Sequence, residues 1–129
     1  MFYNTEITPQ IADSNYQRHI DSLALPQWFD RARTSLYRKC LESLDFKKHG
    51  LVVVKLETTY LKELRVDRDV TIRTWVSLIG TKSFETTQEA WQDNEKRAVE
   101  KTIFCAYNFR EHKSEPLSDA IHDILERYA

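Results

Sequence analysis

Asp13-Ser14-Asn15-Tyr16-Gln17-Arg18-His19-Ile20-Asp21-Ser22-Leu23-Ala24-Leu25-Pro26-Gln27-Trp28-Phe29-Asp30-Arg31-Ala32-Arg33 decides the fold. Its first part is polar. In its second part Leu25, Trp28, Phe29 and Ala32 recur at steps of three and four, and Leu36 and Cys40 continue the series. That is the spacing of one helix face. It predicts a long helix from about Ser22 to Leu44. Asp21 or Ser22 stands where a side chain can cap the free N–H groups of the first turn. Pro26 falls within the first turn or so, where its missing donor costs least. The polar exit, Asp45 to Gly50, ends on a glycine, as helix ends often do.

Outward from this helix the period changes. Thr5 to Ala12 reads as a short strand. Leu51-Val52-Val53-Val54 is a β-branched run suited to a strand buried on both faces, and it continues to Leu61. Val70, Ile72, Thr74, Val76 and Leu78 alternate with polar or amphipathic neighbours up to Ile79. Gly80-Thr81 breaks this strand, and Lys82 to Trp91 reads as its return. Asp93-Asn94 is a turn signal. Arg97 to Arg110 is a last long strand, with Ile103, Cys105, Tyr107 and Phe109 on one face. A short amphipathic helix, Ser118 to Tyr128, closes the chain. One long helix with an apolar face needs a sheet to cover it. The simplest arrangement is a single α+β domain over residues 1–129, an antiparallel sheet of about five strands wrapped around the helix. Element order alone allows other α+β folds.

Composition narrows the function. Nineteen basic residues face twenty acidic ones, without a Lys/Arg block. This lacks the footprint of a nucleic-acid binder. No apolar run reaches membrane-spanning length, and the opening residues carry no charged-then-apolar leader, so a cytoplasmic location is expected. Cys40 and Cys105 stand far apart and outside any C-x-x-C pair, which speaks against a metal site and for plain buried thiols. The two glycines, Gly50 and Gly80, exclude Gly-rich phosphate loops.

The helix entry resembles the opening motif of the 4-hydroxybenzoyl-CoA-thioesterase-like family, which reads (D/E)-x-D-x-x-G-H-(V/I)-N-N and then an aromatic-rich F-(E/D)-x-A-R. His19, Ile20, Phe29, Asp30, Ala32 and Arg33 fall in register without a gap. The V-V-V-K-L-E-T-T-Y, D-V-T-I-R-T-W and I-G-T-K-S-F stretches also look like the family, so the resemblance covers about residues 5 to 127. It implies the hotdog fold and an acyl-CoA thioesterase, a homodimer or homotetramer with sites between chains. It implies no cofactor beyond the coenzyme A carried by the substrate. Three positions depart. Asn15 stands where the best-studied members carry a catalytic carboxylate, Arg18 replaces the motif glycine, and Asp21-Ser22 replaces the N-N pair.

Thioester hydrolysis needs a nucleophile, a base and donors for the developing oxyanion. The resemblance implies that the backbone N–H of Ser22 is the oxyanion donor. A helix N-terminus supplies unpaired N–H groups and a positive dipole end. Asn15 cannot ionise; it can donate to the carbonyl or orient a water. The base then falls to His19, Asp13, Asp21 or Glu57. His19 carries an imidazole, the side-chain type suited to proton transfer near neutral pH, but it can equally brace the loop. Asp13, in an extended segment, shares a face with Asn15. Asp21 is equally a cap. Glu57 lies two residues before Thr59, which holds the place where plant acyl-carrier thioesterases, which look related, carry a catalytic Glu. Lys82 and Ser83 stand in the K-S-F piece where relatives contact coenzyme A; an ammonium and a hydroxyl suit its phosphates. Arg110, His112 and Lys113 are weaker candidates for the same role. Trp28, Trp75 and Trp91 either line an acyl pocket or pack. The amide at Asn15 keeps a second reading open, a non-catalytic or weakly catalytic acyl-thioester-binding hotdog protein. A hotdog dehydratase ranks last, for want of an evident His–acid pair.

Overall fold

One long helix lies across one face of an antiparallel sheet. The computed structural model describes residues 1–15 and 19–129. In chain order the elements are β1 (Tyr3–Ile7), a 3-10 turn (Ile11–Asp13), α1 (Ala24–Glu42) and β2 (His49–Tyr60). Then follow β3 (Val70–Ile79), β4 (Ser83–Gln92), β5 (Glu95–Asn108), the two-residue β6 (Lys113–Ser114) and α2 (Asp119–Glu126). The sheet order is β1-β3-β4-β5-β2, with β6 paired to β5. Every pairing is antiparallel. Asp93 and Asn94 close the β4–β5 hairpin with φ of 55° and 57°, the left-handed pair that a two-residue turn needs.

The helix buries Leu25, Trp28, Phe29, Ala32, Leu36 and Cys40, the predicted face. These residues divide between two apolar clusters. Leu25, Trp28, Phe29 and Ala32 pack with Ile7, Val70, Ile72, Ala90 and Ala98. Leu36 and Cys40 pack with Val76, Phe84, Phe104, Ala106 and α2 residues Ile121 and Leu125. Between the clusters runs a polar row. Thr74, Gln88, Glu100 and Thr58 are successive cross-strand partners over four strands. Arg33 reaches down from α1 into that row. Its Nη1 donates to Glu100 Oε2 at 2.7 Å, Gln88 Oε1 at 2.8 Å and Thr102 Oγ1 at 3.2 Å. Gln88 Nε2 donates to the Phe29 carbonyl at 2.8 Å and to Thr74 Oγ1 at 3.1 Å. Thr58 Oγ1 donates to Glu100 Oε1 at 2.7 Å. Burial pushes the Glu100 carboxyl above its ordinary value, and the Thr58 and Arg33 hydrogen bonds pull it back.

Several local expectations change. The first strand ends at Ile7, and Ile11–Asp13 form a 3-10 turn instead of continuing it. Asp13 is therefore not in an extended segment; its Oδ2 accepts the Gln10 N–H at 2.8 Å. The helix starts at Ala24, after Leu23, and ends at Glu42. Gly50 does not end it but lies in β2, where a Cβ would come within 2.6 Å of the Phe109 ring. The Val run is an edge, not a strand buried on both faces: Leu51 is buried, but Val53 and Val54 are exposed. A bulge between Val76 and Leu78 turns Leu78 out to solvent. On β5 the buried residues are Arg97, Ala98, Glu100, Thr102, Phe104 and Ala106. Ile103, Cys105 and Tyr107 do share a face, but it is the one away from α1. Cys105 is half-buried there, while Cys40 is fully buried.

Removing one partner of a buried ion pair strands the other charge, whereas apolar replacement of both is tolerated. Arg33→Met is expected to lower unfolding stability by about 3–5 kcal/mol. Arg33→Met with Glu100→Leu should recover most of that loss, read as midpoints in urea.

Candidate active site

The segment between β2 and β3 and the entry to α1 meet at one end of the sheet. Buried polar side chains hold that segment in place. Gln92 takes the Arg65 N–H on Oε1 at 2.9 Å and donates to the carbonyls of Arg65 and Arg68 at 2.9 and 3.1 Å. Arg97 Nη1 donates to the Glu63 carbonyl at 2.9 Å, and the Arg97 carbonyl accepts the N–H groups of Leu61 and Lys62. The helix entry then leans on this segment. The Ile20 N–H bonds the Leu64 carbonyl at 2.8 Å, and His19 bridges to Arg65.

The two pieces enclose a cavity of about 340 Å³ lined by Ile20, Asp21, Ser22, Leu25, Tyr60 and the segment Leu61–Leu64. Around it the backbone is tightly bonded. Asp21 donates its N–H to the Asp13 carbonyl at 2.7 Å, and its own carbonyl accepts the Ala24 N–H at 3.0 Å. Its Oδ1 accepts the Leu23 N–H at 2.9 Å, so it is Asp21 that caps the turn leading into α1. The Tyr60 hydroxyl donates to the Ser22 carbonyl at 2.6 Å. Removal from water, then the negative charges of Glu100 and Asp21, raise the Tyr60 pKa, which keeps the phenol a donor. The Ser22 N–H has no acceptor among the described residues. It sits in the turn before the N-terminus of a 19-residue helix, on the cavity wall. A carbonyl oxygen placed there meets a free donor and the positive end of a helix dipole.

The expected residues distribute unevenly. Ser22 and Asp21 line the cavity; Asn15, His19 and Asp13 do not. Asn15 Oδ1 accepts the His19 N–H at 3.3 Å, and the Asn15 N–H bonds the His19 carbonyl at 2.8 Å, so the two residues hold each other. Arg18 lies outside the described residues. Glu57 is exposed on β2. Lys82 and Ser83 sit at the opposite end of the sheet. Ser83 pairs with Cys105, whereas Tyr60 pairs with Ala98, a separation of roughly 23 Å at about 3.3 Å per residue. Trp28 is core; Trp91 stacks on Arg73, whose guanidinium lies 4.4 Å from the ring centroid. Gln92, Arg97 and Tyr60 escaped the sequence reading. Burial pushes the Cys40 thiol up to about 11, far from a nucleophile's range. Among the described residues no group of three His, Cys, Asp or Glu side chains is placed to hold a metal. Among the described residues no helix is long and apolar enough to cross a membrane.

The sequence pattern of the thioesterase superfamily matches residues 24–99, more than half of the chain. A predicted thioesterase from Bacillus stearothermophilus is 25% identical, with 100% of this chain and 97% of that one covered and a TM-score of 0.91. A 1,4-dihydroxy-2-naphthoyl-CoA thioesterase from Synechocystis is 14% identical, with coverage of 97% and 96% and a TM-score of 0.85. A hypothetical protein from Staphylococcus aureus, solved in complex with CoA, is 15% identical, with coverage of 99% and 84% and a TM-score of 0.87. These likenesses carry the hotdog fold. No curated protein matches the sequence.

Tyr60→Phe removes one hydrogen bond from the turn that carries the free N–H, worth about 1 kcal/mol. Amide hydrogen exchange at Leu23 and Ala24 should then quicken by about fivefold, with exchange in the middle of α1 unchanged.

Proposed function

Because the chain belongs to the thioesterase superfamily, we propose that it is an acyl-CoA thioesterase that hydrolyses a thioester to free acid and coenzyme A at the helix-entry cavity. The carrying observation is the unengaged Ser22 N–H on the wall of that cavity. As the thioester carbon becomes tetrahedral, charge builds on its oxygen. A fixed donor at a helix N-terminus stabilises that charge more than it stabilises the ground state. The structural neighbour solved with CoA, and the neighbour named for a CoA thioester, support coenzyme A as the carrier. Asn15 and His19 are hydrogen-bonded to each other beside the helix entry.

The active form in this reading is a homodimer or homotetramer in the cytoplasm, with no cofactor beyond the coenzyme A of its substrate. β2 is an edge strand that exposes Val53, Val54, Leu56 and Tyr60, and proteins cover or pair such edges. Pairing two copies of β2 antiparallel across a two-fold axis brings the His49 end of one strand beside the Tyr60 end of the other. Lys82 and Ser83 lie toward the His49 end, since Ser83 pairs with Cys105 and Cys105 with Val52. A two-fold therefore carries the Lys82 ammonium of one copy toward the cavity of the other, where it meets coenzyme A phosphates.

A panel of short, long and aromatic acyl-CoAs tests the reaction. Release of free thiol from at least one member is expected. Binding of the panel without release would instead favour the non-catalytic thioester-binding reading, which the amide at Asn15 motivates. Sedimentation at micromolar concentration is expected to show at least a dimer; a monomer would remove the two-chain site.

A further inference from the structure

Resting on the thioesterase reading above, we propose that Asp21 is the general base of the reaction, the carboxylate that Asn15 does not supply. Four observations converge on it. Asp21 lines the cavity, whereas Asn15, His19 and Asp13 do not. It is the immediate neighbour of Ser22, so the base and the oxyanion donor share one turn. Its main chain is tied on both sides, through its N–H to Asp13 and its carbonyl to Ala24. Its carboxylate spends only Oδ1 on the Leu23 N–H, and Oδ2 has no partner among the described residues. The cap therefore fixes the carboxylate in orientation and leaves one oxygen for chemistry. The other ionisable side chains on the cavity wall are Tyr60, Lys62 and Glu63. The Tyr60 hydroxyl is committed as a donor to Ser22, Lys62 pairs with Glu95, and Glu63 belongs to the opposite wall, on the segment that Arg97 holds.

The step runs as follows. A water in the cavity gives a proton to Asp21 Oδ2 as its oxygen bonds the thioester carbon. The carbonyl π pair moves onto the carbonyl oxygen, where the Ser22 N–H meets it. Collapse of the tetrahedral intermediate re-forms the C=O bond and breaks the C–S bond. The proton passes from Asp21 to the departing sulfur. Thioester and water become carboxylic acid and thiol, and the carboxylate is regenerated. One group acts as base and then as acid, a role open to a carboxylate and closed to an amide.

Asp21→Asn is the informative variant, because asparagine caps a helix start as well as aspartate does. Its amide oxygen keeps the Leu23 bond while the base is lost. Turnover of the best panel substrate should fall by about 10²-fold or more, with the Michaelis constant and the melting temperature unchanged. Asp21→Ser, another good cap, is expected to lose as much. Wild-type turnover in either variant overturns the assignment and leaves Asp21 as a cap. So does a loss of turnover that tracks a falling melting temperature in both. A wild type that binds acyl-CoA and releases no thiol overturns the hydrolase reading and this proposal together, and that outcome is seen before any substitution is made.

Discussion

The Arg33–Glu100 pair fixes how the helix sits on the sheet, and the geometry of the site follows from it. A sheet and an apolar helix face attract without direction. Leu25, Trp28, Phe29 and Leu36 can bury themselves in more than one helix position with little change in area. The polar row cannot accept such freedom. A buried charge must be paired and hydrogen-bonded, and Arg33 finds Glu100, Gln88 and Thr102 together at one setting of α1. Gln88 adds a bond to the Phe29 carbonyl, one turn before Arg33. Ion pairs of this kind contribute little net stability against an apolar isostere. What this one contributes is a unique position for the helix, and with it for the preceding turn that bears the Ser22 N–H.

The same row reaches the site by a second route. Thr58 and Tyr60 are two residues apart on β2, so they share the face toward α1. Thr58 bonds Glu100, and Tyr60 bonds the Ser22 carbonyl. β2 thus ties the middle of the core to the turn outside the helix. The far wall of the cavity is set independently by Gln92 and Arg97, buried polar residues that hold the backbone from Leu61 to Arg68. Each wall is positioned by groups that would be costly to leave unpaired.

Much of this was legible in the sequence. Leu25, Trp28, Phe29, Ala32, Leu36 and Cys40 announced the helix, and Asp93-Asn94 announced the hairpin, because both signals are local. The helix-entry resemblance pointed to Ser22, which lines the cavity. What could not be read is which face of β5 turns inward. Ile103, Cys105 and Tyr107 form the more apolar set, yet Glu100, Thr102 and Phe104 lie against the helix. The inward choice depends on Arg33, which is distant in sequence and sits in the helix. Leu78 misled for a similar reason, since a bulge reverses the alternation after Val76. Asp21 was ambiguous between cap and acid because those two uses engage different oxygens of one carboxylate, a distinction only geometry draws.

β2 is an edge strand, and what covers it bears on the site. The strand that carries Thr58 and Tyr60 also exposes Val53, Val54 and Leu56. Any partner that covers those residues restrains the strand that holds the Ser22 turn. Ordering the turn before substrate arrives reduces the reorganisation required when the carbonyl oxygen gains charge. A monomer would keep the polar row and the fold, since that row lies wholly within one chain. It would lose the restraint on the outer side of β2, where Tyr60 is half-exposed. Within one chain the site is framed by Arg33, Tyr60, Gln92 and Arg97, and the outer side of β2 is the part of that frame a single chain leaves uncovered.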